Sequence, residues 1–274
     1  MFIEGTNYDK MIDILNTELI NIDIWLKANR LTVNIKKTHF MIFHRTRIKQ
    51  KSRDVIIQGN SLTCTNNTKF LGVIIDNKLN WSDHILYIKN KISKSIGILY
   101  KTRTFLNKNT LRNLYYTFIY PYLIYCSEIW GNTNDIHLKP LIKIQKKSIR
   151  AITFSHYLAH TAPLFISQNI LNLKKLIIHR IALLMFKYNI GVLPAPMNKL
   201  FSLNNEKHNY NTRHANDLQT KLGGGENVYK LFSFHGSYIW NQISKRIQID
   251  VSYACFKHLS KKYLQVNDIS YRTR

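Results

Sequence analysis

The sequence has 274 residues, 45% of them hydrophobic and 12% aromatic, which is enough apolar material for one large or two ordinary domains and excludes a chain disordered throughout. Lys and Arg number 40 against 15 Asp and Glu, a formal charge of +25 that exceeds any need of solubility and points to a polyanionic partner. The 3 cysteines, Cys64, Cys126 and Cys255, form no CxxC pair, so neither a disulfide framework nor a zinc knuckle is indicated and a reducing compartment fits.

The opening MFIEGTNYDK has neither the charged nor the apolar region of a signal peptide. The most apolar run, Leu114 to Cys126, is too short to span a bilayer and contains Pro121. These features predict a protein of the nucleus or cytoplasm, not secreted and without a transmembrane segment. Tyr8, Met11, Leu15, Leu19, Ile22 and Leu26 have the spacing of a buried helix face, with Asp9, Asp13 and Glu18 on the solvated side. Leu31, Val33 and Ile35, then Phe40 and Ile42, alternate around Lys36-Lys37-Thr38 as two strand segments joined by a basic turn. Arg45 to Arg53 reads as a solvated basic loop, either one that touches phosphate or one that is only solvated. Asp54 to Ile57 and Ser61 to Cys64 flank Gln58-Gly59-Asn60 as a hairpin, and Phe70 to Asp76 (FLGVIID) reads as a buried strand closed by an Asp76-Asn77 turn.

Trp81, Ile85, Ile88, Ile92, Ile96 and Leu99 then make one helical stripe, and Lys89, Lys91, Lys94, Lys101 and Arg103 fall off it. A second helix is expected after Asn109-Thr110, burying Leu111, Leu114, Tyr115, Phe118 and Tyr122, with Pro121 kinking or ending it. A third carries Leu138, Leu141, Ile142, Ile149 and Ile152 on one side and Lys139, Lys143, Lys146, Lys147 and Arg150 on the other. Ala162-Pro163 is expected to break the chain before a strongly apolar helix, Ile170 to Tyr188, which Gly191 to Pro196 ends. Asn204 to Asn227, with Gly223-Gly224-Gly225, reads as a polar loop or linker, and Val228 to Leu264 again has helical spacings. The expected class is α+β: a small antiparallel sheet with one helix over residues 1–79, a helical domain over 80–155, and a helical extension over 156–274 with its polar linker near 204–227.

The ordered string FLGVIID, Leu79-Asn80-Trp81, His84-Ile85, Lys91-Ile92, Ile96-Gly97-Ile98-Leu99, Leu114-Tyr115, Pro121, Tyr125-Cys126 and Trp130-Gly131 resembles the end of the palm and the thumb of non-LTR (LINE-type, jockey-like) retrotransposon reverse transcriptases. Gln145-Lys146-Lys147, Ile149-Arg150, Pro163-Leu164-Phe165, Tyr210-Asn211-Thr212-Arg213 and Trp240-Asn241 extend the resemblance over nearly the whole chain. It implies a palm remnant, a thumb and a helical extension of an RNA-directed DNA polymerase, with template-primer RNA or DNA as partner. Leu31 to Thr38 resembles motif D, which makes Lys37 a candidate general acid toward the leaving pyrophosphate; a turn lysine without a role is the competing reading. Phe70-Leu71-Gly72-Val73 resembles the primer grip.

In that family two Mg²⁺ ions are held by carboxylates that include a Tyr/Phe-Ala-Asp-Asp hairpin. This sequence has no Asp-Asp pair, and Asp9, Asp13 and Asp23 have a helix-face explanation. The pairs His156/His160 and Cys255/His258 lack the further ligands of a zinc site. The expectation is therefore a truncated, catalytically inactive piece with no cofactor of its own. It should bind nucleic acid through Phe70, Leu71, Gly72, Lys89, Lys91, Lys94, Lys101, Arg103, Lys143, Lys146, Lys147 and Arg150. Rival readings are a protein-interaction or structural helical module whose positive charge is incidental, a piece that completes a polymerase with a separate palm/fingers fragment, and a basic surface lying on anionic membranes.

Overall fold

The computed structural model describes residues 1–43, 53–206, 213–220 and 231–269. The chain divides into two compact units, Met1–Asn80 and Trp81–Arg274. Most of the basic run after Arg45, the triple glycine and Tyr210-Asn211-Thr212 fall outside the described residues.

In the first unit, helix α1 (Tyr8–Ala28) starts where the Asn7 side chain accepts from the Lys10 N–H, with Asp9 in the first turn and Lys27 in the last, as the helix dipole favours. It buries Ile12, with Tyr8, Leu15 and Leu19 beside it, on Val55, Ile57 and Leu62. The buried centre is thus Ile12 and not Met11. Six short strands follow, in three separate pairs. β1 (His39–Phe40) pairs parallel with β4 (Thr63–Cys64), β2 (Ile56–Ile57) antiparallel with β3 (Asn60–Ser61), and β5 (Asn67–Phe70) antiparallel with β6 (Val73–Asp76). Asn16 of α1 accepts from the Ile56 N–H (2.9 Å) and donates to the Asp54 carbonyl (3.1 Å), satisfying backbone groups on the outer side of β2.

The expected strand pair over residues 31–42 is mostly replaced by a 3₁₀ turn, Ile35–Lys37. The cause is local: the Thr38 hydroxyl donates to the Asn34 carbonyl, which also takes the Lys37 N–H, and these bonds compete with a ladder. FLGVIID is likewise not one buried strand. Phe70 pairs with Val73 across a two-residue loop in which Leu71 (φ 46°) and Gly72 (φ 86°) are both left-handed, the geometry of a type I′ turn. Phe70 and Leu71 are 61% and 75% exposed at its tip, and the strand resumes at Val73. Gln58-Gly59 (φ 50° and 71°) turns β2 into β3 the same way. Asp76 ends β6 as expected, its carboxylate accepting from the Lys78 and Asn80 N–H groups.

Gly59 and Gly72 therefore matter for backbone conformation. Gly59→Ala and Gly72→Ala should each lower unfolding stability by about 1–2 kcal/mol, the cost of an L side chain in left-handed backbone. Urea titrations of the two variants check this, and a loss at Gly72 alone would show that packing controls the tip instead.

The second unit is helical: α2 (Ser82–Thr102), α3 (Lys108–Phe118), α4 (Tyr120–Ile124), α5 (Ser127–Trp130), α6 (Asp135–Ile152), α7 (Thr161–Ser167), α8 (Leu173–Asn189), α9 (Ala195–Asn198), α10 (Phe232–Ile243) and α11 (Tyr253–Val266). One continuous core runs from Ile85 to Ile269. α8 lies at its centre, packed on α10 and α11 and touching α4, α5 and α6, which explains a helix apolar on nearly every side.

Three expectations change here. α3 begins at Lys108 because Asn107, not Asn109-Thr110, caps it, accepting from the Thr110 N–H and hydroxyl. Its buried line continues Leu111, Tyr115, Ile119, Leu123, a step of four, which leaves Phe118 and Tyr122 exposed. Pro121 does end α3 and opens α4. Pro163 does not break the chain but sits in the first turn of α7, where no donor is needed. The buried Gln145 donates to the Tyr115 hydroxyl (3.1 Å) and the Leu171 carbonyl (3.0 Å), tying α6 to α3 and to the entry of α8. Among the described residues no helix is long and apolar enough to cross a membrane.

Candidate nucleic-acid interface

Helices α2 and α6 form the most extensive helix pair of the second unit and run in the same direction. Near the start of α2 the His84 ring lies edge-on, at 5.9 Å, to Trp130, the last residue of α5 and five residues before α6 begins. Near the ends of α2 and α6 the Tyr100 hydroxyl donates to the Lys147 carbonyl (3.3 Å), and the Arg103 guanidinium lies 5.7 Å from the Phe154 ring.

On α6, Leu138, Leu141, Gln145, Ile149 and Ile152 face the core. Lys139, Lys143, Lys146 and Arg150 recur at steps of four, three and four, so at about 100° per residue they form one stripe on the opposite side, with Lys147 beside it. The four lysines are exposed, and none makes an ion pair among the described residues. Asp135, the only acid of α6, bonds Lys174 of α8 instead. Like charges at (i, i+4) cost a helix about 0.2–0.5 kcal/mol per pair, so nothing in folding favours this ridge. Lys139 has no binding role on sequence grounds alone; its four-residue step to Lys143 is the signal that could have found it.

The other predicted binders are less uniform. Arg150 is half-buried and its Nε donates to the Ala159 carbonyl (2.9 Å), so it fastens the segment after α6. Lys89 and Lys91, two residues apart, point to nearly opposite sides of α2 and cannot serve one face. Lys91 lies over the Tyr87 ring at 5.7 Å. Lys94 and Lys101, exposed and seven residues apart, share the line opposite Ile85, Ile92 and Leu99. Arg103 lies beyond the helix end, 5.7 Å from the Tyr100 ring as well as from Phe154.

In the first unit, Phe70, Leu71 and Gly72 form the β5–β6 turn and Lys37 is exposed on the 3₁₀ turn. The acids of α1 do not fit a two-metal site. Asp9 and Asp13 pair with Arg53 (3.7 and 2.6 Å), while Asp23 pairs with Lys27 (2.7 Å) and accepts from Gln58 (2.6 Å). No group of three His, Cys, Asp or Glu able to hold a metal ion gathers among the described residues. His156 and His160 lie outside any helix, so their spacing aligns nothing.

No protein-family model matches the chain, and no solved structure matches it significantly. Among curated proteins, a probable RNA-directed DNA polymerase from transposon X-element of Drosophila melanogaster is 27% identical over 132 residues, 47% of this chain and 14% of that protein. The RNA-directed DNA polymerase from mobile element jockey of Drosophila funebris is 26% identical over 144 residues, 52% of this chain and 16% of that protein. About half of the chain is thus similar to the polymerases of jockey-like non-LTR retrotransposons, and the match spans about one-seventh of their length.

Proposed function

We propose that the chain performs the holding task of a jockey-like RNA-directed DNA polymerase: it grips template-primer nucleic acid by the phosphate backbone and, alone, transfers no nucleotide. The observation that carries this reading is the unpaired lysine ridge of α6, supported by the similarity to two such polymerases. From Lys139 to Lys147 the ridge is about 12 Å long, at 1.5 Å per residue. Duplex DNA carries a charge per roughly 1.7 Å of axis, so each ammonium has a phosphate within reach. Such contacts position a backbone without reading bases. Nucleotidyl transfer needs clustered carboxylates for its metals, and here Asp9, Asp13 and Asp23 are committed to Arg53, Lys27 and Gln58.

Fluorescence anisotropy with a labelled primer-template duplex across a salt series tests the grip, and adding dNTPs and Mg²⁺ tests the chemistry. Binding should be indifferent to sequence, with log K falling against log[salt] at a slope of at least about 3 from the four lysines, and no primer should extend. Salt-insensitive binding, or extension that persists through repurification, would sink the corresponding half of the proposal.

A further inference from the structure

We infer that the carboxyl end of the α2–α6 pair is a stacking platform for unpaired bases, so that this surface takes a single-stranded segment next to the backbone it grips; this rests on the phosphate-holding reading above. α6 ends in a capping motif in which the Ser155 N–H reaches the Arg150 carbonyl (3.0 Å) and the Phe154 N–H the Ala151 carbonyl (3.4 Å). That motif places Phe154 in left-handed backbone, φ 55°, a position that Gly or Asn ordinarily fills. A phenylalanine there is strained, and the residue stays 45% exposed. Strain held at an exposed aromatic points to a use for the ring outside the fold.

The surroundings specify that use. The Arg103 guanidinium lies 5.7 Å from both the Tyr100 and the Phe154 rings, and Phe105, two residues on, is 81% exposed. Tyr157, 69% exposed, lies beside His156 (4.4 Å), in a segment fastened by the Arg150–Ala159 bond. Exposed aromatic rings beside a guanidinium, continued by a lysine ridge, match a ligand that alternates planar rings with anions, which is an unpaired nucleic-acid strand.

The test uses the full chain and two end-labelled probes of equal length, an oligothymidylate and an abasic deoxyribose-phosphate oligomer, which differ only in the bases. The wild type should bind the oligothymidylate tighter by about 5- to 150-fold for each base stacked. Phe154→Asn with Tyr157→Ala should abolish that difference while abasic binding and its salt slope stay unchanged. Phe154→Asn alone should keep the melting temperature at or above wild type, since Asn accepts left-handed backbone, so a folding defect would be visible separately. Equal affinity of the wild type for both probes, or a base dependence unchanged in the double variant, overturns the platform and leaves the ridge standing. Failure of both probes to bind overturns the phosphate grip, and the platform with it.

Discussion

Replacing Lys139, Lys143, Lys146 and Lys147 together by glutamine should flatten the salt dependence of duplex binding by about 3 units of slope, at 0.7 to 0.9 for each phosphate no longer neutralised. Between about 50 and 200 mM salt the wild type should therefore lose roughly 50- to 150-fold more affinity than the variant. Glutamine has nearly the helix propensity of lysine, and removing like-charge neighbours is mildly favourable, so the fold should survive intact. The matching control is Lys257→Gln with Lys262→Gln, two exposed lysines of α11. That change lowers net charge without touching the ridge and should leave most of the slope in place. A folded quadruple variant with the wild-type slope would move the binding face off α6.

The second large effect concerns acid. His84 and His179 are both buried, and both imidazoles are held down to about 4 from 6.5. Burial is the first cause for each; Lys261, Lys257 and Arg180 add to it around His179, whose Nδ1 lies 3.2 Å from the Ser260 hydroxyl. The direction of linkage follows: below pH 6.5 the unfolded chain takes up protons that the folded chain refuses until about pH 4, so stability present at neutral pH is lost as pH falls through that window. The gap corresponds to roughly 3 kcal/mol by pH 4 for His179 and to less for His84, where solvent screens part of it, together a large share of the about 5–15 kcal/mol that ordinarily holds a protein folded. Urea titrations at several pH values should show the midpoint collapsing between about pH 6.5 and pH 4. His84→Gln with His179→Gln should flatten the profile even if it lowers the plateau at neutral pH. Asp217, whose carboxyl is held below its ordinary value by hydrogen bonds from Lys245 and His214 despite opposing burial, acts only at lower pH and leaves this window clear. A wild-type stability that is flat from pH 7 to pH 4 would mean that both rings reach solvent.

What could be read from the residues was mostly periodic. The Ile85-Ile88-Ile92-Ile96-Leu99 stripe and the two-sided pattern of Leu138 to Ile152 emerged as α2 and α6, and Ile170 to Tyr188 holds the central α8. What failed was local turn chemistry. Leu71-Gly72 turns a hairpin with a leucine where Asn or Asp is usual, so FLGVIID looked like one strand. The 3₁₀ turn at Ile35 depends on side-chain bonds that no alternation pattern encodes. For the proposed binding surface, the cations were legible by number and not by placement. Rotation about the helix separates Lys89 from Lys91, Arg150 is engaged by Ala159, and Lys139, already on the basic side of its helix by spacing, continues the ridge to Lys143. Phe154 was not legible at all, because its significance lies in a backbone angle.

The shared direction of α2 and α6 gives this surface a polarity. Aligned peptide dipoles leave about half a positive charge at the start of each helix and half a negative charge at its end. Two parallel helices therefore add their fields where antiparallel ones would cancel them. The Lys139 end lies closer to the positive poles, and the Phe154 end lies at two negative ones, partly offset by Arg103 and Arg150. A phosphate is drawn toward the first end, while the second is kinder to an uncharged ring. Any anion on this surface is therefore held more firmly toward the Lys139 end than toward Phe154, by the order of the helices as well as by the lysines.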